Sequence, residues 1–419
     1  MATKLDKKFW IAMLVFGLMG QVAWVVENMY FNVFIYKMFN ATASEISAMV
    51  MASAVVAALT TIIMGAVSDK VGKRKAFMSV GYIIWGISII SFAYIKSVTM
   101  TIVMDCVMTF FGSTANDAAY NAWLTDKGDE TNRGRIEGFN SMMPLVAILV
   151  VFGGFMSFNL DTHKAWTTIY YIIGIATTLI GILGLFIIED APNLKKEEKS
   201  YGETLIYSFR PNVIKENTNL YSVLTAFAVF GISIQIFMPY LIIYYEKTLG
   251  ITNYVLIMAP AIIAAAVVTA LYGKVYDNYG FNFSIRIPVA MLALGCFMLY
   301  IGRETLPVFV GSLFMMSGYL TGMSVFGAKI RDLIPENRAG QFQGVRIIGQ
   351  VFVPGLIGPA IGAVVLKNAE LITNSDGTTS FLPNANIWKA AIFVLAGLVI
   401  VLMLIKRHFA DSKIDRKAE

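Results

Sequence analysis

Histidine and cysteine are nearly missing, with two of each in 419 residues. Cys106 and Cys296 lie inside apolar runs, while His163 and His408 fall in a loop and a tail. That excludes a disulfide framework and a clustered metal site. Charge is scarce as well. Asp, Glu, Lys and Arg make up 14% of the chain, against about a quarter in an ordinary soluble domain. No Gly-x-x-x-x-Gly-Lys-Ser/Thr run occurs, so nucleotide does not drive the protein from this chain. No enzyme constellation and no cofactor motif is found either. The period-2 alternation of a membrane β-barrel is missing. The first apolar run has no small-residue cleavage site behind it, which reads as an uncleaved first helix.

What is abundant is apolar surface: 57% hydrophobic residues and a mean hydropathy of +0.67. A helix needs about 20 apolar residues to cross the hydrocarbon. Twelve segments qualify: 9–36, 44–66, 76–95, 98–124, 137–158, 164–188, 218–246, 252–273, 285–303, 305–328, 341–367 and 387–406. The fold class is therefore all-α and membrane-embedded. The polar stretch 189–217, with Lys195, Lys196, Glu197, Glu198 and Lys199, reads as a linker between halves 1–188 and 218–419. The formal charge of +6 fits a bilayer surface better than nucleic acid. With the N-terminus inside, 25 Lys and Arg fall on that side and six outside: Lys37, Lys96, Lys164, Lys247, Arg303 and Lys367. The positive-inside rule then puts both termini in the cytoplasm, and the 367–386 loop outside.

Between the second and third spans lies Gly65-Ala-Val-Ser-Asp69-Lys-Val-Gly72-Lys73-Arg74-Lys75, read as a tight basic turn. Gly65 suits close packing, and Gly72 suits a positive φ. Gly65, Asp69 and Gly72 reappear as Gly273, Asp277 and Gly280, each displaced by 208 residues. Gly134 and Gly138 reappear as Gly340 and Gly344 at 206, each pair following an Asn-Arg dipeptide. Two unrelated loops repeating at nearly half the chain length indicate a duplicated six-helix unit.

An ionisable side chain in mid-bilayer costs about 2.5–3.5 kcal/mol on insertion scales, so each one asks for a cavity or a partner. In the first span Gln21, Trp24, Asn28 and Asn32 recur at helical spacing, with Glu27 beside them. In the fourth, Asp105, Thr109, Gly112, Asn116, Tyr120 and Trp123 share a face, with Asp117 adjacent. Asp117 fits either the site or the ion pairs of the inner loop. In the seventh span Gln235 stands 208 residues after Glu27 and so at matching depth, followed by the helix breaker Pro239 and by Tyr240. Gly311, Gly318 and Gly322 in the tenth span suit close packing or flexing. Arg346 and Gln350 enter the eleventh span from its cytoplasmic end, where Arg346 can pair with Asp69, Asp117 or a substrate anion.

Twelve spans as six plus six, the inner linker and the Gly65–Lys75 loop resemble the major facilitator superfamily. Ile188-Glu189-Asp190-Ala191-Pro192 is similar to that family's ending of the sixth helix. The acidic first-half helices resemble its glycoside–pentoside–hexuronide cation symporters and sucrose-transporter-like members. The paired second-helix acids of that branch are absent here, as is the fifth-helix signature of drug exporters. A Gly358-Pro359-Ala-Ile-Gly362 run stands in the eleventh span instead.

The resemblance implies a monomeric secondary transporter of the plasma membrane. Its implied partners are a small-molecule substrate, a proton or sodium ion, and the lipid bilayer. A polar organic solute such as a sugar or glycoside would bind at Gln21, Trp24, Asn28, Asn32, Asn116, Tyr120, Gln235, Tyr240 and Gln350. Glu27 is the first choice of coupling carboxyl, then Asp105 and Asp117. Gating falls to Gly65, Asp69, Gly72, Lys73, Arg74, Gly273, Asp277 and Arg346, with Asp69 clamping the start of the eleventh helix. A proton-driven exporter of amphipathic compounds is the alternative. A transporter-like sensor needs an effector domain, for which Lys406–Glu419 is too short. A channel needs a filter or charged ring that nothing here supplies.

Overall fold

The computed structural model describes residues 6–128, 132–190, 207–334, 339–374 and 377–410. Among them, eleven helices are long and apolar enough to cross a bilayer. These are α1 Lys7–Phe39, α2 Ala43–Val71, α3 Arg74–Tyr94, α4 Val98–Lys127, α5 Gly138–Phe155, α6 His163–Ile187, α7 Thr218–Thr248, α8 Val255–Ser284, α10 Thr305–Leu333, α11 Gly344–Val365 and α12 Asn386–Ile405. The shorter apolar helix α9, Arg286–Ile301, completes the twelve. Large side chains such as Phe186, Val364 and Phe393 stand fully out from the packed helices, as a lipid-facing surface requires. Most of the linker expected over 189–217, including its charged run and the Ala191-Pro192 ending, lies outside the described residues. Its last part forms a short helix, Pro211–Glu216.

The chain divides into two compact units, Met1–Ala41 with Ala48–Tyr201, and Thr42–Ser47 with Gly202–Glu419. In the first, α3 and α6 meet along glycines. A Cβ on Gly86 would stand 2.5 Å from the Gly174 carbonyl oxygen, and one on Gly181 would stand 2.6 Å from the Ile83 nitrogen. Without a hydrophobic driving force between helices in lipid, such close backbone contact is what binds them. In the second unit the glycine seam joins α9 to α10. A Cβ on Gly295 or Gly318 would lie 2.3 Å from the backbone nitrogen of Met315 or Leu292. Gly322 is filled by the Phe230 ring. Packing, not flexing, therefore explains the tenth-helix glycines.

The helices are not uniform. Wide π-type turns interrupt α1 at Val26–Tyr30, α4 at Ser113–Tyr120, α7 at Tyr244–Thr248 and α11 at Ile348–Phe352. Such turns free a backbone carbonyl and concentrate at functional positions. In α1, Asn28 donates its amide to the Trp24 carbonyl at 2.8 Å, and Asn32 to the Asn28 carbonyl at 3.0 Å. In α4, Asn121 does the same for Asp117 at 3.1 Å. Helix α7 also breaks at Ile236–Phe237 into a 3-10 turn, Met238–Tyr240, where Pro239 withholds an N–H.

The loop expected over Gly65–Lys75 is shorter than that. Helix α2 continues through Gly65 and Asp69 to Val71, and only Gly72 and Lys73 leave it before α3 starts at Arg74. A single residue at φ 67° is enough to turn the chain, so the preceding residues stay helical. In the second unit α8 likewise runs to Gly280, also at φ 67°. The 367–386 segment carries an antiparallel hairpin, Leu371–Thr373 against Thr379–Phe381.

Candidate functional site

Glu27 sits on the α1 π-turn, 6% exposed. Its Oε1 accepts from Ser53 on α2 at 2.6 Å and from Thr109 on α4 at 3.0 Å, and the two hydroxyls are 2.9 Å apart. Asp105, one turn before Thr109, is 2% exposed and lies in the field of Glu27. Oε2 of Glu27 and Oδ1 of Asp105 are buried without a protein hydrogen-bond partner. Among the described residues, neither carboxyl forms an ion pair. A charge held there would be poorly compensated, so a proton or a small cation is the natural counterpart.

The next two turns of α4 hold Asn116, Asp117 and Tyr120. Asp117 is half-buried, with the Asn116 amide at 3.4 Å and the Trp24 indole within reach. The Trp24 ring leans on Trp85 at 5.1 Å between centroids. Asn116 and Tyr120 are buried. Tyr82 donates to the Phe16 carbonyl at 2.7 Å and contacts the Asn116 Oδ1 at 3.1 Å, while Tyr120 donates to the Met13 carbonyl at 3.0 Å. Tyr120 thus ties α4 to α1, and Tyr82 ties α3 to both. Asn32 is fully buried as well. Of the residues expected to line the site in this unit, Gln21, Trp24 and Asn28 keep open surface, as does the candidate coupling acid Asp117.

Where α2 turns into α3, Arg74 is 4% exposed and its guanidinium is encircled by oxygens. It donates to Asp126 at 2.8 Å, to Ser68 at 2.6 Å and to Asp69. Asp190, beyond α6, accepts the backbone N–H groups of Arg74 and Lys75 at 2.7 and 2.8 Å, so a carboxylate caps the positive N-terminus of α3. Asp69 finds its partner in Arg74, and Lys73 stays exposed. Asp117 takes no part in this network. The acid that α4 supplies is Asp126, two to three turns further on, where the helix reaches the loop.

The sequence model of the Major Facilitator Superfamily matches residues 9–359. The chain belongs to that superfamily. No curated protein sequence matches it significantly. Among solved structures it is similar to a mutant form of the nucleoside transporter NupG, at TM-score 0.75 and 14% identity, over 96% of this chain and 100% of that one. A bacterial homologue of the human lysosomal transporter Spinster, inward-facing and unoccupied, gives 0.73 and 13%, over 97% and 98%. A D-xylose–proton symporter gives 0.71 and 12%, over 94% and 96%. These likenesses establish the twelve-helix, two-domain fold. Membership of the superfamily makes the chain a multi-pass membrane transporter, not an enzyme.

In the second unit of this superfamily member, Gln235 is half-buried against Gly358 of α11. A Cβ on Gly358 would come 2.4 Å from that of Gln235, and one on Gly362 would come 2.6 Å from the Ile236 carbonyl. The Gly358–Gly362 run thus lets α11 lie on the broken stretch of α7. Tyr240 is fully buried and donates to the Ala43 carbonyl at 2.9 Å. Arg346 donates to Gln350 on the α11 π-turn at 3.1 Å. Gly273 and Asp277 are exposed. Sequence reasoning passed over Ser53, Ser68, Asp126 and Asp190. Asp190 lay within a quoted run, but nothing in its spacing aims it at α3.

Proposed function

We propose that this transporter is a symporter working by alternating access, which moves a polar organic solute of the sugar or glycoside class on a proton carried at Glu27. The observation that carries the reading is a buried carboxyl in mid-span, held by two hydroxyls and no cation, on a π-turn of the helix that also presents Trp24 and Asn28. An aromatic face beside a carboxylate and amides suits a ligand with C–H surface on one side and hydroxyls on the other. Proteins of the same fold named for a nucleoside and for D-xylose with a proton point the same way. The protein acts as a monomer in the plasma membrane, as halves 1–188 and 218–419 joined by 189–217, with both termini in the cytoplasm. Asp69, Gly72 and Arg74, with Asp277 and Arg346 in the other half, belong to the inner gate.

The test is uptake by proteoliposomes under imposed proton or sodium gradients, with a panel of sugars. Glu27→Gln should abolish gradient-driven accumulation and keep counterflow exchange, because a glutamine imitates the protonated carboxyl. Accumulation by Glu27→Gln at the wild-type level, with the same pH dependence, would move the coupling role to Asp105 or Asp117.

A further inference from the structure

Open surface in mid-span is confined to a few residues of the first unit. From Gln21 to Tyr30 on α1 only Gln21, Trp24 and Asn28 are not buried, and from Gly112 to Tyr120 on α4 only Asp117 is not. A polar stripe of this kind is costly against lipid, so it belongs on a cavity. The two helices are in register here. A Cβ on Gly20 would collide with Asn116 Oδ1 and the Tyr82 hydroxyl, and one on Gly112 would stand 3.1 Å from the Trp24 ring. Asp117, next to Asn116, therefore lies level with Gly20 and Gln21. It is the acid on the open face, whereas Glu27 is 6% exposed and held by Ser53 and Thr109.

The chain of contacts that holds Asp117 starts on α3, which adds nothing to that open face. The wholly buried Tyr82 places its hydroxyl 2.7 Å from the Phe16 carbonyl and 3.1 Å from Asn116 Oδ1. A phenol has one proton to give. Phe16 lies inside α1, where a carbonyl also accepts the N–H four residues on. Among the described residues, no other donor reaches Asn116 Oδ1. The phenol thus decides which end of the Asn116 amide faces α3. With Oδ1 turned to Tyr82, the amide nitrogen is left facing Asp117, whose Oδ1 is 3.4 Å away. Helix α3 cannot draw back from this contact. A Cβ on Gly81 would stand 2.6 Å from that of Ala115, and the Tyr82 ring is wedged edge-on against Phe16 and Trp85 at 4.7 and 5.3 Å.

We propose that Asp117 is a carboxyl that meets the solute, and that Tyr82 is a positioning residue for it, acting through the amide of Asn116. The proposal rests on the symport reading and deepens it by dividing the acids: Glu27 serves coupling and Asp117 serves solute binding. Without the phenol, Asn116 Oδ1 is a buried acceptor with no donor. The amide is then free to turn and present an oxygen to Asp117, where two acceptors would face each other and the carboxyl would lose its fixed direction.

Infrared difference spectra of the purified full-length protein, each background against its own Asp117→Asn partner, isolate the Asp117 carboxyl band without any solute. Tyr82→Phe keeps the ring and its packing and should shift that band. Gly20→Ala should shift it too, because the added methyl parts the phenol from the amide while both remain. Asn116→Ala should also move the band, and Tyr82→Phe added to it should move it no further. In counterflow of a sugar panel that includes labelled D-xylose, Tyr82→Phe should raise the half-saturating concentration about tenfold and keep the maximal rate. An unmoved band in Tyr82→Phe would overturn the positioning role, and so would a shift by Tyr82→Phe that persists undiminished in the Asn116→Ala background. A Tyr82→Phe variant that loses maximal rate at unchanged half-saturation would overturn the solute-binding role of Asp117. If the band shifts as expected but no sugar is taken up under any gradient, the positioning of Asp117 stands and the symport reading falls. If proton-driven sugar uptake is found and the band stays still, the reverse holds.

Discussion

Ser68–Arg74 and Tyr276–Asn282 occupy equivalent places in the two units, and the backbone treats them alike. Gly72 and Gly280 both sit at φ 67°, each breaking a long helical run with one glycine at positive φ. The side chains differ completely. In the first unit the buried Arg74 joins Ser68, Asp69 and Asp126, and Asp190 caps the helix behind it. In the second, position 282 is Asn, and Tyr276 replaces Ser68. The Tyr276 phenol donates to Asp332 on α10. Asp277, the counterpart of Asp69, is exposed. Turn geometry and electrostatic clamp are thus separable features of one loop. Duplication kept the first in both halves, and the described structure shows the second in one.

The sharpest way to break this comparison is Arg74→Ala. It strips the cation from Asp69 and Asp126 and should cost on the order of 3 kcal/mol, softened because both acids stay partly wetted. Asn282→Ala should cost no more than about 1 kcal/mol. Thermal melting of the two variants in detergent checks this, and equal losses would mean that the clamp is not confined to the first half. Gly72→Ala and Gly280→Ala come next. Each should cost about 1–2 kcal/mol, and by similar amounts, because each forces a Cβ into the left-handed region. A clear inequality would show that one turn relies on its side chains and not on its glycine. The smallest effect expected is that of Tyr276→Phe, at about 1 kcal/mol or less, since Asp332 can turn to water. Its loss should also vary little with salt, whereas that of Asp126→Asn should shrink as salt rises.

A gate prediction sharpens the same contrast in function. Asp69→Asn should shift the transporter toward its inward-open form and cut transport, with solute binding largely retained. Asp277→Asn should change transport far less. Equal transport losses in the two variants would return the gate to both loops.

Much of this was legible in the chain itself. Spans of about 20 apolar residues had to be helices, because no other open segment satisfies its backbone in lipid. The displacement of 208 residues between Gly72 and Gly280 announced two copies of one turn, and a left-handed residue leaves the chain little choice but glycine. Glu27 stood out because a carboxyl in mid-span is costly wherever it lands. Tertiary structure decided the rest. Which oxygen meets which proton depends on where separate helices cross, and Ser53, a small residue in an alanine-rich stretch, has no pattern that aims it at Glu27. Asp190 reaches α3 from 115 residues away for the same reason. Asn28 and Asn32 stand out by their spacing. Only the structure shows that each donates its amide to a carbonyl one turn back in the same helix, where an unbonded carbonyl is costly, and that Asn32 is buried while Asn28 keeps open surface.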